Sequence, residues 1–225
     1  DGHWSFQPIQ RPAAPATPFV VSNTADSGPG SLRQARLDAN AAQVTGPSAC
    51  APHLVVFSIP GSGPHAIQPL SPLPVIDIAI AVNGLSQPGS VENSLSQGSN
   101  AVLRIVIDGS LAGPADGFVL RSRVPGVPGC GGAGSIFRGL VINRWQGAAI
   151  SVGETDCPLE LGCTSGGVRI LGNHIGTDAS GMMAAGNGIA LGRPTLAFGR
   201  GSTFNIVGEQ VLGDVSTRFR DGEER

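Results

Sequence analysis

The sequence predicts an all-β chain whose short strands stack as a solenoid, a β-helix closed at its start by one short α-helix. Three observations carry this expectation. Apolar segments of about 4 to 7 residues recur along the 225-residue chain, each broken by Gly, Pro or Asn, and no helical pattern falls between them. The segment Gly139-Leu-Val-Ile-Asn143 is echoed by Gly167-Val-Arg-Ile-Leu-Gly-Asn173, and more loosely by Gly188-Ile-Ala-Leu191 and Phe204-Asn-Ile-Val-Gly208. Self-similarity with Gly and Asn at the corners is the mark of a repeat architecture, and Asn tolerates the left-handed backbone and can bond along a ladder. The third observation is the lone amphipathic stretch Gly28–Asn40, since the first coil of a solenoid exposes strand edges and an apolar cross-section that need a cover. Sandwiches and barrels also fit the first observation; the second and third favour the solenoid.

Composition narrows the core and the partners. There are 34 Gly and 18 Pro without a collagen-like period, aromatics make 4% of the chain, and Tyr is missing. Lys is missing too, so all 14 basic residues are Arg. Such a core is built from Val, Ile, Leu and Ala, with frequent turns. A formal net charge of −2 and 13% charged residues exclude the clustered basic surface that binds nucleic acid. Arg218, Arg220 and Arg225 alternate with Asp221, Glu223 and Glu224 and read as a solvated tail. The longest apolar run, Val75–Val82, contains Asp77 and falls far short of the ~20 residues a membrane-spanning helix needs, so no transmembrane segment is expected.

In chain order, residues 1–18 form a proline-rich leader of extended or polyproline character, with Trp4 and Phe6 as candidates for docking on a partner or on the chain's own surface. Phe19–Ser22 reads as a short strand. In the helix, Ser31 and Gln34 fit a capping box, Pro29 and its flanking glycines delay the start, and Leu32, Ala35 and Ala39 form a narrow apolar stripe. Its expected span is about 31–41. His53–Ile59 reads as a strand covered on both faces. After a turn at Pro60–Pro64 come His65–Leu70, then Val75–Val82 as one alternating strand, then a polar loop, Asn83–Asn100. Strands resume at Val102–Ile107 and Phe118–Arg121, followed by a glycine-rich loop, Val124–Gly134. Further strands are expected at Ile136–Ile142, Ala149–Val152, Val168–Leu171, Ile189–Leu191 and Phe204–Val207.

The runs SNTADSGPGSLRQARLDAN, VVFSIPGSGPHAIQPLSPLPVI, IVIDGS, IFRGLVINRW and ILGNHIGTDASG resemble those of bacterial right-handed parallel β-helix proteins of the pectin-lyase-like superfold, found in surface and secreted proteins. The resemblance covers about residues 19–208. It implies triangular coils, three parallel sheets and an N-terminal capping helix. Arg36 stands where that family's helix has a large aliphatic, which weakens an apolar lid at that point. The implied organisation is a leader (1–18), a β-helix domain (19–208) and a polar tail (209–225).

Cys50, Cys130, Cys157 and Cys163 all lie in Gly/Pro-rich segments. Cys157 and Cys163 close the short loop CPLELGC, whose spacing is not that of a zinc site. A Cys157–Cys163 disulfide is expected, worth roughly 2 kcal/mol by chain entropy, with Cys50–Cys130 as the remaining pair; buried free thiols are the alternative. Paired cysteines imply an exported protein in the periplasm, at the cell surface or outside the cell.

Chemistry is sparse. Candidate acids are Asp108, Asp116, Glu154, Asp156 and Asp178, and His174 with Asp178 is the best-looking pair, although its segment reads as a turn. β-Helix hydrolases need converging carboxylates, and lyases need a bound Ca²⁺ and a base. The hydrolase motifs of the resembled family are missing. No phosphate loop, serine elbow or metal spacing is present, so no cofactor, metal or catalytic residue is expected. The expected role is a non-catalytic structural or interaction module that docks on a larger extracellular or cell-envelope assembly through the leader or an unlidded C-terminal end. The alternative is a carbohydrate-binding or polysaccharide-degrading β-helix, a lyase or glycoside hydrolase.

Overall fold

The structure, a computed structural model, describes residues 17–42, 51–95, 99–121, 131–152 and 167–186, and the backbone of two further strands at Ile189–Leu191 and Ile206–Val207. The strands are numbered β1–β13 in chain order and lie in three sheets. The first holds β1 (Phe19–Val21), β2 (His53–Phe57), β4 (Ile80–Asn83), β7 (Ile136–Arg138), β10 (Arg169–Leu171) and β13 (Ile206–Val207), in that order. The second holds β3 (His65–Ile67), β5 (Ile105–Asp108), β8 (Val141–Asn143) and β11 (His174–Ile175). The third holds β6 (Phe118–Leu120), β9 (Ile150–Val152) and β12 (Ile189–Leu191).

Every registered strand pair among the described residues is parallel. Parallel neighbours need a long crossover. Here the crossover is the passage through the other two sheets, because from β2 onward the chain visits the first, second and third sheets in rotation. On the first circuit the third sheet is represented by Ile76, which bridges Leu120 in parallel.

This order stacks like side chains on the inside. Ile67, Ile107, Ile142 and Ile175 stand in register across the second sheet, and all four are buried. Val55, Val82, Phe137 and Ile170 do the same in the first sheet. Phe118 and Phe137 meet at 4.9 Å between ring centroids, tying the third sheet to the first. All of these belong to one core. Each fully buried aliphatic contributes roughly 1.5–3 kcal/mol, so the core can be built with almost no aromatics.

Corners between sheets are held by polar side chains that take the place of a neighbouring strand. Buried Gln87 accepts from Ile59 N at 2.8 Å and donates to Ile59 O at 2.7 Å. Asn173 accepts from Leu140 N and donates to Phe137 O, both at 2.9 Å. Ser86 Oγ accepts from Phe57 N at 2.7 Å.

These corners correct several sequence expectations. Ile136–Ile142 is not one strand but two, β7 and β8, in different sheets; Gly139 turns the chain with φ +67°, and a Cβ there would overlap the Leu85 side chain. Val75–Val82 is likewise divided: Ile76 and Ile78 only bridge Leu120 and Gly131, and β4 starts at Ile80. β2 is not covered on both faces, for its residues alternate and Leu54 is 38% exposed. The segment at His174, read as a turn, starts with a strand, β11; the turn comes after it, where Thr177 bridges Ala184.

Gly84 has an ordinary φ, yet a Cβ on it would overlap the Gly139 carbonyl of the next circuit. Gly84→Ala is therefore expected to cost about 1–3 kcal/mol in urea unfolding, from overpacking rather than strain at φ.

Candidate functional site

The described residues concentrate polar chemistry in two places, the lid and a corner behind the second sheet. The lid helix α1 spans Leu32–Ala41. Gly28 and Gly30, both at positive φ, bring the chain round to Ser31, whose Oγ accepts from Gln34 N at 3.1 Å. The capping box is one-sided, because the Gln34 side chain donates to Asp38 instead of returning to Ser31. Leu32, Ala35 and Ala39 enter the core as their spacing predicts.

The rest of the lid contact is polar. Arg33 donates to the Ser71 and Pro72 carbonyls at 3.0 and 2.7 Å, and pairs with Asp26 at 2.7 Å. Arg36 Nη2 donates to Pro74 O. Asn40 donates to Val75 O at 2.7 Å and accepts from Asp77 N at 3.2 Å. One row of side chains thus bonds to the carbonyls of Ser71, Pro72, Pro74 and Val75 and to the Asp77 N–H. Arg36, expected to weaken an apolar lid, is 1% exposed, and its guanidinium lies 5.1 Å from the Phe118 ring centroid. Its Nε and Nη1 are buried without a hydrogen-bond partner. Burial, aided by nearby Arg33, brings its pKa down to about 9.

The second place is centred on Asp108, at the end of β5 and 0% exposed. Arg144 Nε and Nη2 grip its two oxygens at 3.0 and 2.5 Å, Gln68 donates to it at 2.9 Å and Ser110 N at 3.0 Å. Burial alone would raise its pKa; the Ser110 and Gln68 bonds and the Arg144 charge outweigh it and hold the carboxyl below its ordinary value. Arg144 takes φ +57°, uncommon outside glycine, at a cost its two bonds to Asp108 offset. Beside it, Trp145 is buried against Gly109 and Gly117; a Cβ on Gly109 would strike the indole, and one on Gly117 the Ala149 carbonyl. The adjoining surface is an open depression of about 430 Å³ lined by Pro114, Ala115, Asp116, Gln146 and Gly147.

Of the sequence-nominated acids, the described ones, Asp108, Asp116 and Asp178, are each engaged by backbone N–H groups of loops or turns. Asp108 has both oxygens occupied by donors. Asp116 Oδ1 accepts from Ala148 N at 2.7 Å and shapes the neighbouring loop. Asp178 Oδ1 accepts from Ser180 N, Ser180 Oγ and Met183 N, which pins a turn and lowers its pKa. His174 is buried with Nδ1 unpartnered, and burial lowers its pKa; Gly181 lies against its ring. No group of three His, Cys, Asp or Glu able to hold a metal occurs among the described residues. Trp4, Phe6, Glu154, Asp156 and the cysteines Cys50, Cys130, Cys157 and Cys163 lie outside the described residues.

Sequence reasoning missed the polar row on the lid. Arg33, Arg36 and Asn40 recur at i, i+3 and i+7, but that spacing alone does not separate a solvated face from one bonded to carbonyls. Comparison with known protein families, curated proteins and solved structures finds no match. Among the described residues, no helix is long and apolar enough to cross a membrane.

Two outcomes follow from the charges. Arg36→Met is expected to stabilise the fold only modestly, by about 1 kcal/mol, since an incompletely bonded buried cation gives way to an apolar chain while the Pro74 carbonyl loses its donor. Because Arg36 is charged in the unfolded chain but loses its proton at about 9 when folded, wild-type stability rises with pH above that value and the advantage of Arg36→Met narrows. Asp108→Asn is expected to cost roughly 1.5–3 kcal/mol near neutrality, in urea midpoints. The native carboxylate's contribution is complete above the unfolded value of 3.8 and is lost as pH falls through the lower folded value, so the two proteins converge in acid.

Proposed function

We propose that the chain is a right-handed parallel β-helix of the pectin-lyase-like kind, solenoidal over residues 19–208. In this reading it is exported and acts as a non-catalytic structural or interaction module of a larger extracellular or cell-envelope assembly. The solenoid reading is supported by the rotation of the chain through three parallel sheets, with in-register aliphatic ladders and a helix seated on the first circuit. The leader and the C-terminal end are the proposed attachment points.

The observation that carries the non-catalytic reading is the occupation of the acids. Asp108, Asp116 and Asp178 each bond to backbone N–H groups of loops and turns, and Asp108 is gripped by Arg144 as well. A glycosidase needs two carboxyls across one glycosidic linkage, with at least one free to exchange a proton.

Incubation with neutral and acidic polysaccharides, with and without Ca²⁺, is expected to release neither new reducing ends nor unsaturated sugars. Product that disappears in Asp116→Asn or Asp178→Asn would replace this reading with the carbohydrate-active one. Export is tested separately by non-reducing peptide mapping, which is expected to link Cys157 to Cys163. Free-thiol labelling of all four cysteines in the unreduced protein would remove the support for an oxidising compartment.

A further inference from the structure

The second sheet is covered on its outer side as well as packed on its inner one. Ile67, Ile107, Ile142 and Ile175 point inward, and the residues between them form an outward row in register: Ala66, Val106, Val141 and His174. Val106 and Val141 are buried with Leu103 in a second, smaller apolar cluster, against which Leu85, Ala101 and Ala179 pack. Ala179 belongs to residues 177–184, which follow β11 and double back through the antiparallel bridge between Thr177 and Ala184.

These eight residues are built as one piece. At their base, Asn143 Nδ2 donates to Thr177 O at 2.7 Å. At their tip, Asp178 N donates to Met183 O at 2.9 Å and Gly181 N to Asp178 O at 3.0 Å, while the Asp178 carboxylate accepts from Ser180. Gly181 is thereby laid on the His174 ring, so close that a Cβ on it would stand 2.9 Å from the imidazole. The ring beneath is 3% exposed, and its Nδ1 has no hydrogen-bond partner. Neutral imidazole can leave that nitrogen as a bare acceptor. Protonated imidazole cannot, because both nitrogens then carry N–H donors and the charge needs solvation.

We propose that residues 177–184 are a strap over the outer face of the second sheet that opens in acid, with His174 as its trigger. Opening gives Nδ1 water and takes Ala179 off the apolar cluster, so acid uncovers apolar surface on this sheet. The surroundings leave His174 as the group that changes. Asp178, on the strap itself, is the charged group that acts on the ring. Val106 of β5, Val141 of β8, and Leu85, Ala101 and Leu103 of the segment that leads into β5 do not titrate. Glu92 in that segment pairs with Arg138, and Arg144 after β8 with Asp108. The strap does not depend on the solenoid or export readings.

The sign follows from burial. In the closed strap burial outweighs the Asp178 charge and lowers the His174 pKa, whereas a ring freed by opening has the ordinary 6.5. Closure is therefore at full strength well above 6.5, weakens as pH falls through that value, and levels off below the closed-state value. The total weakening is about tenfold for each pH unit between the two values. Asp178 is held below its ordinary 3.8 and stays ionised throughout that window.

The test is nuclear magnetic resonance of the full chain between about pH 7.5 and pH 5, a range that brackets the ordinary histidine value. At the upper end, nuclear Overhauser contacts are expected from the His174 ring to Gly181 and from the Ala179 methyl to the Leu103–Val106–Val141 cluster. In acid both sets are expected to fade several-fold in step with titration of the His174 ring, whose midpoint lies below 6.5. Contacts between Ile142 and Ile175 are expected to persist and report an intact sheet. In His174→Leu, the Ala179 contacts are expected at both ends of the range. Strap contacts that survive in wild type after the ring has titrated would overturn the proposal, as would a ring that titrates at 6.5 or above. Both readings come from wild type and stand even where the variant fails to fold. Loss of the Ala179 contacts in acid from a folded His174→Leu would assign the opening to another group and overturn the trigger.

Discussion

Backbone hydrogen bonding at the ends and corners of parallel strands is the constraint on which the rest of the structure depends. A parallel strand needs a neighbour on each side, or something that imitates one, and an orphaned buried N–H or C=O costs about as much as a lost hydrogen bond. Inside the sheets, successive circuits of the chain supply the neighbour. At corners, Gln87, Ser86 and Asn173 supply it with side chains. At the start of the fold the lid supplies it through Arg33, Arg36 and Asn40, which reach the carbonyls of residues 71–75.

That requirement explains why the lid is polar where an apolar plug was expected. Leu32, Ala35 and Ala39 pack into the core, but aliphatic side chains cannot satisfy carbonyls. Arg36 does both, with its stem packed among apolar neighbours and its guanidinium between Phe118 and Pro74. The compromise is incomplete, since two of its nitrogens are buried without partners. Buried Asp108 shows the opposite condition. Arg144, Gln68 and Ser110 saturate it, and the carboxyl is held ionised as a structural strut. Both groups would stand out in a search for perturbed acids and bases. Their surroundings assign them to holding the fold.

Much of the architecture was legible in the chain. Gly139-Leu-Val-Ile-Asn143 and Gly167-Val-Arg-Ile-Leu-Gly-Asn173 do occupy successive positions in the first and second sheets, with Phe137 beside Ile170 and Ile142 beside Ile175. The helix start at Ser31 and its buried stripe were also readable, since local spacing decides both. Strand breaks were not. Ile136–Ile142 and Val75–Val82 each look like one strand because apolar alternation continues through a corner when the side chains on both sides point into the same core. Only Gly139 hinted at a bend, and glycine within a strand is a weak signal.

What the sequence determined by itself was local: short apolar segments, turns at Gly and Asn, and a capped helix. These follow from side-chain period and backbone preference, which act over a few residues. The tertiary structure alone decided which sheet each segment joins, that Arg36 is buried, and that Asp108 meets Arg144 and Gln68. Those outcomes rest on residues some 28 to 40 positions apart becoming neighbours. Such pairings are set by the stacking of one circuit on the next, and no local pattern encodes them.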